Sequence, residues 1–254
     1  MSFENKTIVV TGGAKGIGKA CIEVFHREKA NVVILDIDEE GAALAAELDE
    51  HALFIKTDVS NEQEVITAVE KIKARFGNMD VLVNNAAIQY FATVTDSTAE
   101  EWDKTLSINL RGGFLCAKYM IPSMQAKGKG VIINISSVQA FVTQRAVASY
   151  ATSKAAQIAL TRSIAIDYAP AIRCVAVCPG SVDTPLLKEL ISQSPDPEAV
   201  FKECEEMHLM KRVAAPSEIA DFVLYLASDK ASFITGQAFR IDGGLGITIE
   251  GSKR

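Results

Sequence analysis

Short apolar runs rich in valine and isoleucine alternate with longer amphipathic stretches along the chain. The runs fall at 7–10, 32–35, 53–56, 81–83, 131–135, 173–177 and 238–241. Helix-like segments lie near 18–28, 39–49, 62–76, 99–124, 151–168 and 217–226. The runs are apolar at successive positions, so each strand is covered on both faces. Such strands, separated by helices, predict a parallel sheet with helices packed on each side, a doubly wound α/β fold. No Gly/Ser/Pro-rich linker interrupts the rhythm, and residues 1–254 are read as a single domain. Residues 185–215 are the exception, with Ser194-Pro195-Asp196-Pro197 as a breaker. A connection of about thirty residues in a compact domain is expected to be a substrate lid rather than a plain loop.

Composition narrows the function classes. The 254 residues carry a net charge of -6, with 48% hydrophobic and 23% charged side chains. That balance is ordinary for a soluble domain and offers no basic patch for a nucleic acid. Five cysteines without C-x-x-C spacing suit free thiols in a reducing compartment. The three histidines, His26, His51 and His208, form no metal-ligand pattern. The N-terminus lacks the basic and apolar regions of a secretory signal, and no run of about eighteen apolar residues suits a membrane span. The expected address is the cytoplasm.

The first strand runs into Thr11-Gly12-Gly13-Ala14-Lys15-Gly16-Ile17-Gly18 and then a helix. Glycines at 12, 16 and 18 permit a tight turn and bring backbone N–H groups close to a ligand. The following helix N-terminus offers free donors and a positive dipole end to a pyrophosphate. A glycine-rich turn joining a strand to a helix is the context of a Rossmann-type dinucleotide site. The second strand ends at Asp36, followed by Ile37, eighteen residues after Gly18. A carboxylate there accepts hydrogen bonds from the ribose hydroxyls and repels a 2′-phosphate. Lys15 pulls the other way, as a cation able to pair with that phosphate, but Asp36 decides for NAD as the cofactor. Asp58 and Val59, read as the end of the third strand, would flank the adenine; Asn85 and Ala86 at the end of the fourth would wall the cofactor.

Tyr150 and Lys154 stand four residues apart, on one face of a helix. A free tyrosine titrates near pKa ~10, and a cation within ~4–6 Å favours its phenolate. Ser137 lies thirteen positions upstream of the tyrosine.

Together these residues resemble the short-chain dehydrogenase/reductase family over nearly the whole chain. Its T-G-x-x-x-G-x-G pattern is matched by Thr11, Gly12, Gly16 and Gly18. Its N-N-A-G stands here as Asn84-Asn85-Ala86-Ala87, with the final glycine replaced. Its Asn–Ser–Tyr–Lys tetrad corresponds to Asn109, Ser137, Tyr150 and Lys154. Its P-G motif is Pro179-Gly180, followed by Val182 and Thr184, which in the family touch the nicotinamide end. The resemblance implies hydride transfer between a secondary alcohol and nicotinamide. Tyr150 would be the acid/base, Lys154 would depress its pKa and hold the ribose, and Ser137 would bind the substrate oxygen. Asn109, within a long helix, would hold a water relaying protons to Lys154. The segment 240–244 resembles the family's last strand, and a homotetramer is implied, with the apolar tail 245–249 suited to an interface.

Gln89, Gln139, Gln144 and Arg145 fall just past strand ends, with Phe141 and Val147 among them. Several amides near the mouth favour a polar, hydroxyl-bearing small molecule: a sugar, polyol or small hydroxy compound. The lid contributes Leu186, Leu187, Leu190 and Ile191, and an acidic half with Glu203, Glu205, Glu206 and His208. Two alternatives stay open. One is a 3-oxoacyl-thioester reductase, against which Asp36 counts; the other is an NAD(H)-sensing protein without catalysis.

Overall fold

The computed structural model describes residues 3–247. Thr248 and Ile249 of the expected tail contact lie outside them. Seven parallel strands form one sheet: β1 (Thr7–Thr11), β2 (Asn31–Asp36), β3 (Ala52–Lys56), β4 (Val81–Asn84), β5 (Gly130–Ile135), β6 (Ile172–Pro179) and β7 (Ala238–Ile241). Their order is β3-β2-β1-β4-β5-β6-β7. The described helices are α1 (Gly16–Arg27), α2 (Glu40–Glu47), α3 (Glu62–Phe76), α4 (Ala99–Leu106), α5 (Gly112–Lys127), α6 (Ala148–Tyr168), α7 (Pro185–Ser192), α8 (Pro197–Met207) and α9 (Pro216–Ala227). None is long and apolar enough to cross a membrane.

Successive strand residues point to opposite faces, and the continuous apolar runs therefore supply two cores. Ile8, Val10, Val32, Ile34 and Ile133 pack with Ile22 and Phe25 of α1, Leu44 of α2 and Val223 of α9. Val9, Val33, Leu35, Leu82 and Ile132 pack with Val69 and Ile72 of α3, Leu115 and Met120 of α5 and Ile164 of α6. Each fully buried valine or isoleucine contributes roughly 1.5–3 kcal/mol, so the alternation drives the doubly covered sheet.

Three details depart from the sequence reading. The expected helix over 99–124 is interrupted by a π-helical turn at Ser107–Arg111. There Asn109 turns its amide to Ile88, and Gly112 lies so near Val59 that a Cβ would come within 2.7 Å of Val59 Cγ2. The third strand ends at Lys56, leaving Asp58 and Val59 in the following loop, where Asp58 Oδ1 accepts from Ser60 N. The segment 185–215, expected to depart from the sheet, holds two short helices. Thr184 caps α7 by accepting from Leu187 N, and Asp196 caps α8 by accepting from Ala199 N, each with proline next in line. Ser194-Pro195-Asp196-Pro197 is thus a helix start signal as well as a breaker.

Candidate active site

The strand order reverses between β1 and β4, and the crevice at that point is where ligands enter such sheets. The turn after β1 fills one side. Gly12 and Gly16 have φ of 62° and 55°, a region that favours glycine. A Cβ on Gly12 would fall 2.9 Å from Ala86 Cα, and one on Gly18 would collide with the Gly12 carbonyl oxygen. Gly18 therefore does not line the cleft; it lets α1 press against the turn. The N-cap of α1, Lys15, makes no side-chain capping bond, which leaves the first-turn amides available to an anion. Asn85 braces the arrangement, its Nδ2 donating to Thr11 O at 3.0 Å and to Gly12 O at 2.9 Å. Thr11 Oγ1 accepts from the amides of Asn85 and Ala86.

Asp36 ties the turn to the end of β2, accepting from Ala14 N through Oδ2 and from Asp38 N through Oδ1, each at 3.0 Å. Lys15 is already engaged: its Nζ lies 2.7 Å from Asp38 Oδ2 and 3.0 Å from Glu40 Oε1. The hydrogen bonds to these carboxylates raise the pKa of Lys15, and the same lysine lowers that of Asp38. Asp38 and Glu40 were not singled out from the sequence, although they stand two and four positions past Asp36. Ile37, Asp58, Val59 and Ile17 complete this end of the cleft.

Ser137, Tyr150 and Lys154 meet on the floor. Ser137 lies just past β5, at the start of the turn Val138–Ala140, and hydrogen-bonds the Tyr150 phenol. Lys154 is 2% exposed; its Nζ donates to Ile135 O at 2.8 Å and lies 5.6 Å from the centroid of the Tyr150 ring. The expected acidification of the tyrosine is not what this arrangement produces. Removal from water pushes the phenol up to about 12, only partly opposed by the bond with Ser137. Burial likewise lowers Lys154 to about 7. Desolvation wins because it penalises both charged forms.

Asn109 stands behind the site and does not line the cleft. Its Oδ1 accepts from Ile88 N at 2.8 Å, and its Nδ2 donates to Ile88 O at 2.9 Å and to Ser153 Oγ at 3.1 Å. Ser153 in turn donates to Tyr150 O, and Gln157 Nε2 donates to Asn109 O at 2.7 Å. Asn109 thus braces the helix turn that carries the tyrosine, with both hydrogens of its amide given to protein groups. Gln157, 2% exposed, was missed in the sequence because nothing local marks it.

The cleft, of about 1420 Å³, continues past the tyrosine. Gln89, Gln139, Gln144 and Arg145 line it, as do Pro179, Gly180, Val182 and Thr184. Gln139 Oε1 is buried without a hydrogen-bond partner. Leu186, Leu187, Leu190 and Ile191 line it from α7, and Val200, Cys204 and Met207 from α8. Phe141 and Val147 do not: Phe141 packs under the Arg240 guanidinium, and Val147 is buried. The acidic Glu203, Glu205 and Glu206 are also outside the lining.

A dinucleotide fits these features. Space that a Cβ at Gly12 would fill, unused amides at the α1 N-terminus and a carboxylate at the end of β2 are the groups that would hold its pyrophosphate and ribose.

The family model described as enoyl-(acyl carrier protein) reductase matches residues 12–246. Dehydrogenase/reductase SDR family member 6 from Aquarana catesbeiana is 39% identical over 249 residues, 95% of this chain and 98% of that protein. The ligand-free aldohexose dehydrogenase of Thermoplasma acidophilum superposes with a TM-score of 0.93 at 37% identity, covering 99% of this chain and 98% of that one. A 3-ketoacyl-(acyl-carrier-protein) reductase from Brucella melitensis, complexed with NADH, superposes at 0.89 and 33% identity, covering 97% and 100%. The chain belongs to the short-chain dehydrogenase/reductase family and is an oxidoreductase of that family.

Proposed function

We propose that this protein is an NAD-dependent dehydrogenase that moves hydride between a secondary alcohol or hemiacetal carbon of a sugar, polyol or small hydroxy compound and a nicotinamide. The observation that carries the reading is the meeting of Ser137, Tyr150 and Lys154 on the floor of a cleft whose other end is the glycine cradle. A bound nicotinamide supplies the hydride acceptor or donor and, when oxidised, a positive charge near the phenol. Tyr150 gives a proton to the carbonyl oxygen in reduction and takes one from the hydroxyl in oxidation. Ser137 holds that same oxygen and counters its developing charge. The ligand-free phenol is protonated at neutral pH, so the site rests in its proton-donating form and oxidation needs nearby positive charge.

NAD over NADP is supported by charge: a 2′-phosphate would meet Asp36, Asp38 and Glu40, with Lys15 already paired to two of them. The NADH complex of the Brucella relative agrees with this preference. A hydroxyl-bearing substrate is supported by Gln89, Gln139 and Gln144, and by the aldohexose dehydrogenase likeness. The thioester-reductase alternative draws on the Brucella relative, and it enters the test. The reading includes a cytoplasmic homotetramer, for which the exposed Phe114, Ile166 and Phe233 offer apolar surface.

The test is spectrophotometric, following nicotinamide reduction over aldoses, polyols and hydroxy acids with NAD and NADP in parallel, and oxidation with a 3-oxoacyl thioester. An aldose or polyol should be turned over with NAD favoured by about tenfold or more. Turnover of the thioester alone, with the phosphorylated cofactor, would replace the reading with the carrier-linked one. Tight NAD binding without turnover would leave a sensor.

A further inference from the structure

His208, at the C-terminal end of the lid, is 2% exposed and has no part in the proton chemistry above. Its ring bridges two segments. Ser181 N lies 3.1 Å from Nε2, and Cys204 O lies 2.5 Å from Nδ1. A backbone amide can only donate, so Nε2 is the lone-pair nitrogen and the ring proton sits on Nδ1, which donates to Cys204 O. One neutral tautomer satisfies both bonds. Ser181 extends Pro179 and Gly180 at the edge of the cleft, and Cys204 lines the same cleft from α8.

The joint has little slack. A Cβ on Gly180 would fall 2.6 Å from His208 Nε2, and one on Gly243 would lie 3.3 Å from its Cδ2. The far side of the loop is fixed by backbone alone, with Gly180 N donating to Ile241 O and Ala214 N to Ser181 O. The second lid helix, α8, has no buried residue of its own. The Asp196 cap holds its start and the imidazole its end.

We infer that His208 is a positioning residue that ties the Pro179–Ser181 loop, beside the reacting end of the cofactor, to the second lid helix over the substrate. The imidazole joins cofactor end and substrate end beside the direct hydrogen bond between the Ser181 and Cys204 side chains. The inference rests on the functional reading above for which ligand occupies each end. Two bonds give two separable effects. His208→Leu removes both. His208→Gln keeps an acceptor that reaches Ser181 N and loses the nitrogen facing Cys204.

Amide hydrogen exchange on the ligand-free protein reads the joint directly. Wild type should protect Ser181, His208→Leu should speed exchange in both 180–184 and 197–208, and His208→Gln only in 197–208. Titration with NAD and steady-state kinetics on whichever alcohol the panel identifies read the consequence. His208→Leu should weaken NAD binding and raise the substrate KM by about tenfold each, with kcat little changed. His208→Gln should restore NAD affinity to within about threefold and leave the KM raised. Unprotected Ser181 in folded wild type overturns the inference, as do equal effects of the two substitutions on both ligands. A thermal melt of each variant accompanies these readings, and the wild-type exchange decides the matter if His208→Leu fails to fold. Should wild type bind neither nucleotide, the functional reading falls while the exchange pattern still judges the joint.

Discussion

At the cofactor end of the cleft the ligand-facing groups are backbone amides and short carboxylates, each locked by a named bond. Asn85 grips the glycine turn, Asp36 holds Ala14, and Lys15 is held between Asp38 and Glu40. At the proposed substrate end they are the tips of long side chains, Gln89, Gln139, Gln144 and Arg145, beside α7 and α8, the second of which has no fully buried residue. The first end recognises by a shape that cannot move without unfolding the sheet edge. The second recognises by side chains that can be exchanged one at a time, so chemistry and cofactor can stay fixed while substrate changes.

The largest effect is expected where the two ends meet. Tyr150→Phe removes the exchangeable proton and leaves the ring, and should lower kcat by about 10³-fold or more with NAD affinity retained. Comparable turnover in that variant would remove the tyrosine from the chemistry. In wild type the oxidising rate should climb with pH by up to tenfold per unit below the pKa of the phenol in the NAD complex, because only the deprotonated form accepts a proton and burial pushes that group up. A flat profile from neutral to alkaline pH would mean that another group takes it.

Lys154→Met tests how much stability the floor gives up for function. Lys154 falls from 10.5 to about 7 in the folded protein, so between these values the unfolded chain binds more protons. Wild-type stability should therefore rise as pH increases from 7 towards 10, and the penalty is full below 7. The methionine variant should be inactive and more stable at pH 7, by on the order of a few kcal/mol, with the gap closing towards pH 10. Denaturant melts at several pH values measure it, and a pH-independent gap would contradict the buried ammonium.

The rigidity of the cofactor end is sharpened by charge removal. Asp36→Ser with Asp38→Asn and Glu40→Gln removes the carboxylates and frees Lys15, while also loosening the bond from Asp36 to Ala14. NADP affinity should rise and NAD affinity fall, moving their ratio by about 10–100-fold. An unchanged ratio would show that the turn's shape, not its carboxylates, selects the nucleotide.

What could be read from the chain follows the same division. Strands with both faces apolar declare a covered parallel sheet, and the glycine turn and the Tyr150–Lys154 spacing are local in sequence, so all were legible. The π-turn at Ser107–Arg111 was not, because it depends on Ile88 capturing Asn109 and on Val59 crowding Gly112, contacts from distant segments. Thr184-Pro185 and Asp196-Pro197 are helix starts in plain view, yet residues 185–215 were read as one connection with Ser194-Pro195-Asp196-Pro197 as a breaker. The rise of the Tyr150 pKa was hidden for another reason: spacing tells which charges are neighbours, and only packing tells how much water is lost. The choice of NAD rests on Asp36 alone in the sequence; the pairing of Lys15 with Asp38 and Glu40, which joins the turn after β1 to the segment after β2, was not legible there.

The mildest test concerns Gln139, at the exchangeable end. Its Oε1 is buried with no partner, and an acceptor left so costs roughly 1–3 kcal/mol that a substrate hydroxyl would recover by donating to it. Gln139→Leu keeps the bulk and removes the acceptor. KM for a hydroxyl-rich sugar should rise about tenfold, NAD affinity should stay as it is, and thermal stability should increase slightly. A deoxy analogue lacking the recognised hydroxyl should bind the leucine variant and wild type alike, since neither then makes the bond. If every analogue shifts by the same factor, Gln139 shapes the wall without reading the substrate, and discrimination passes to Gln89 and Gln144. If none shifts, the substrate end is as rigid as the cofactor end, and the contrast between them fails.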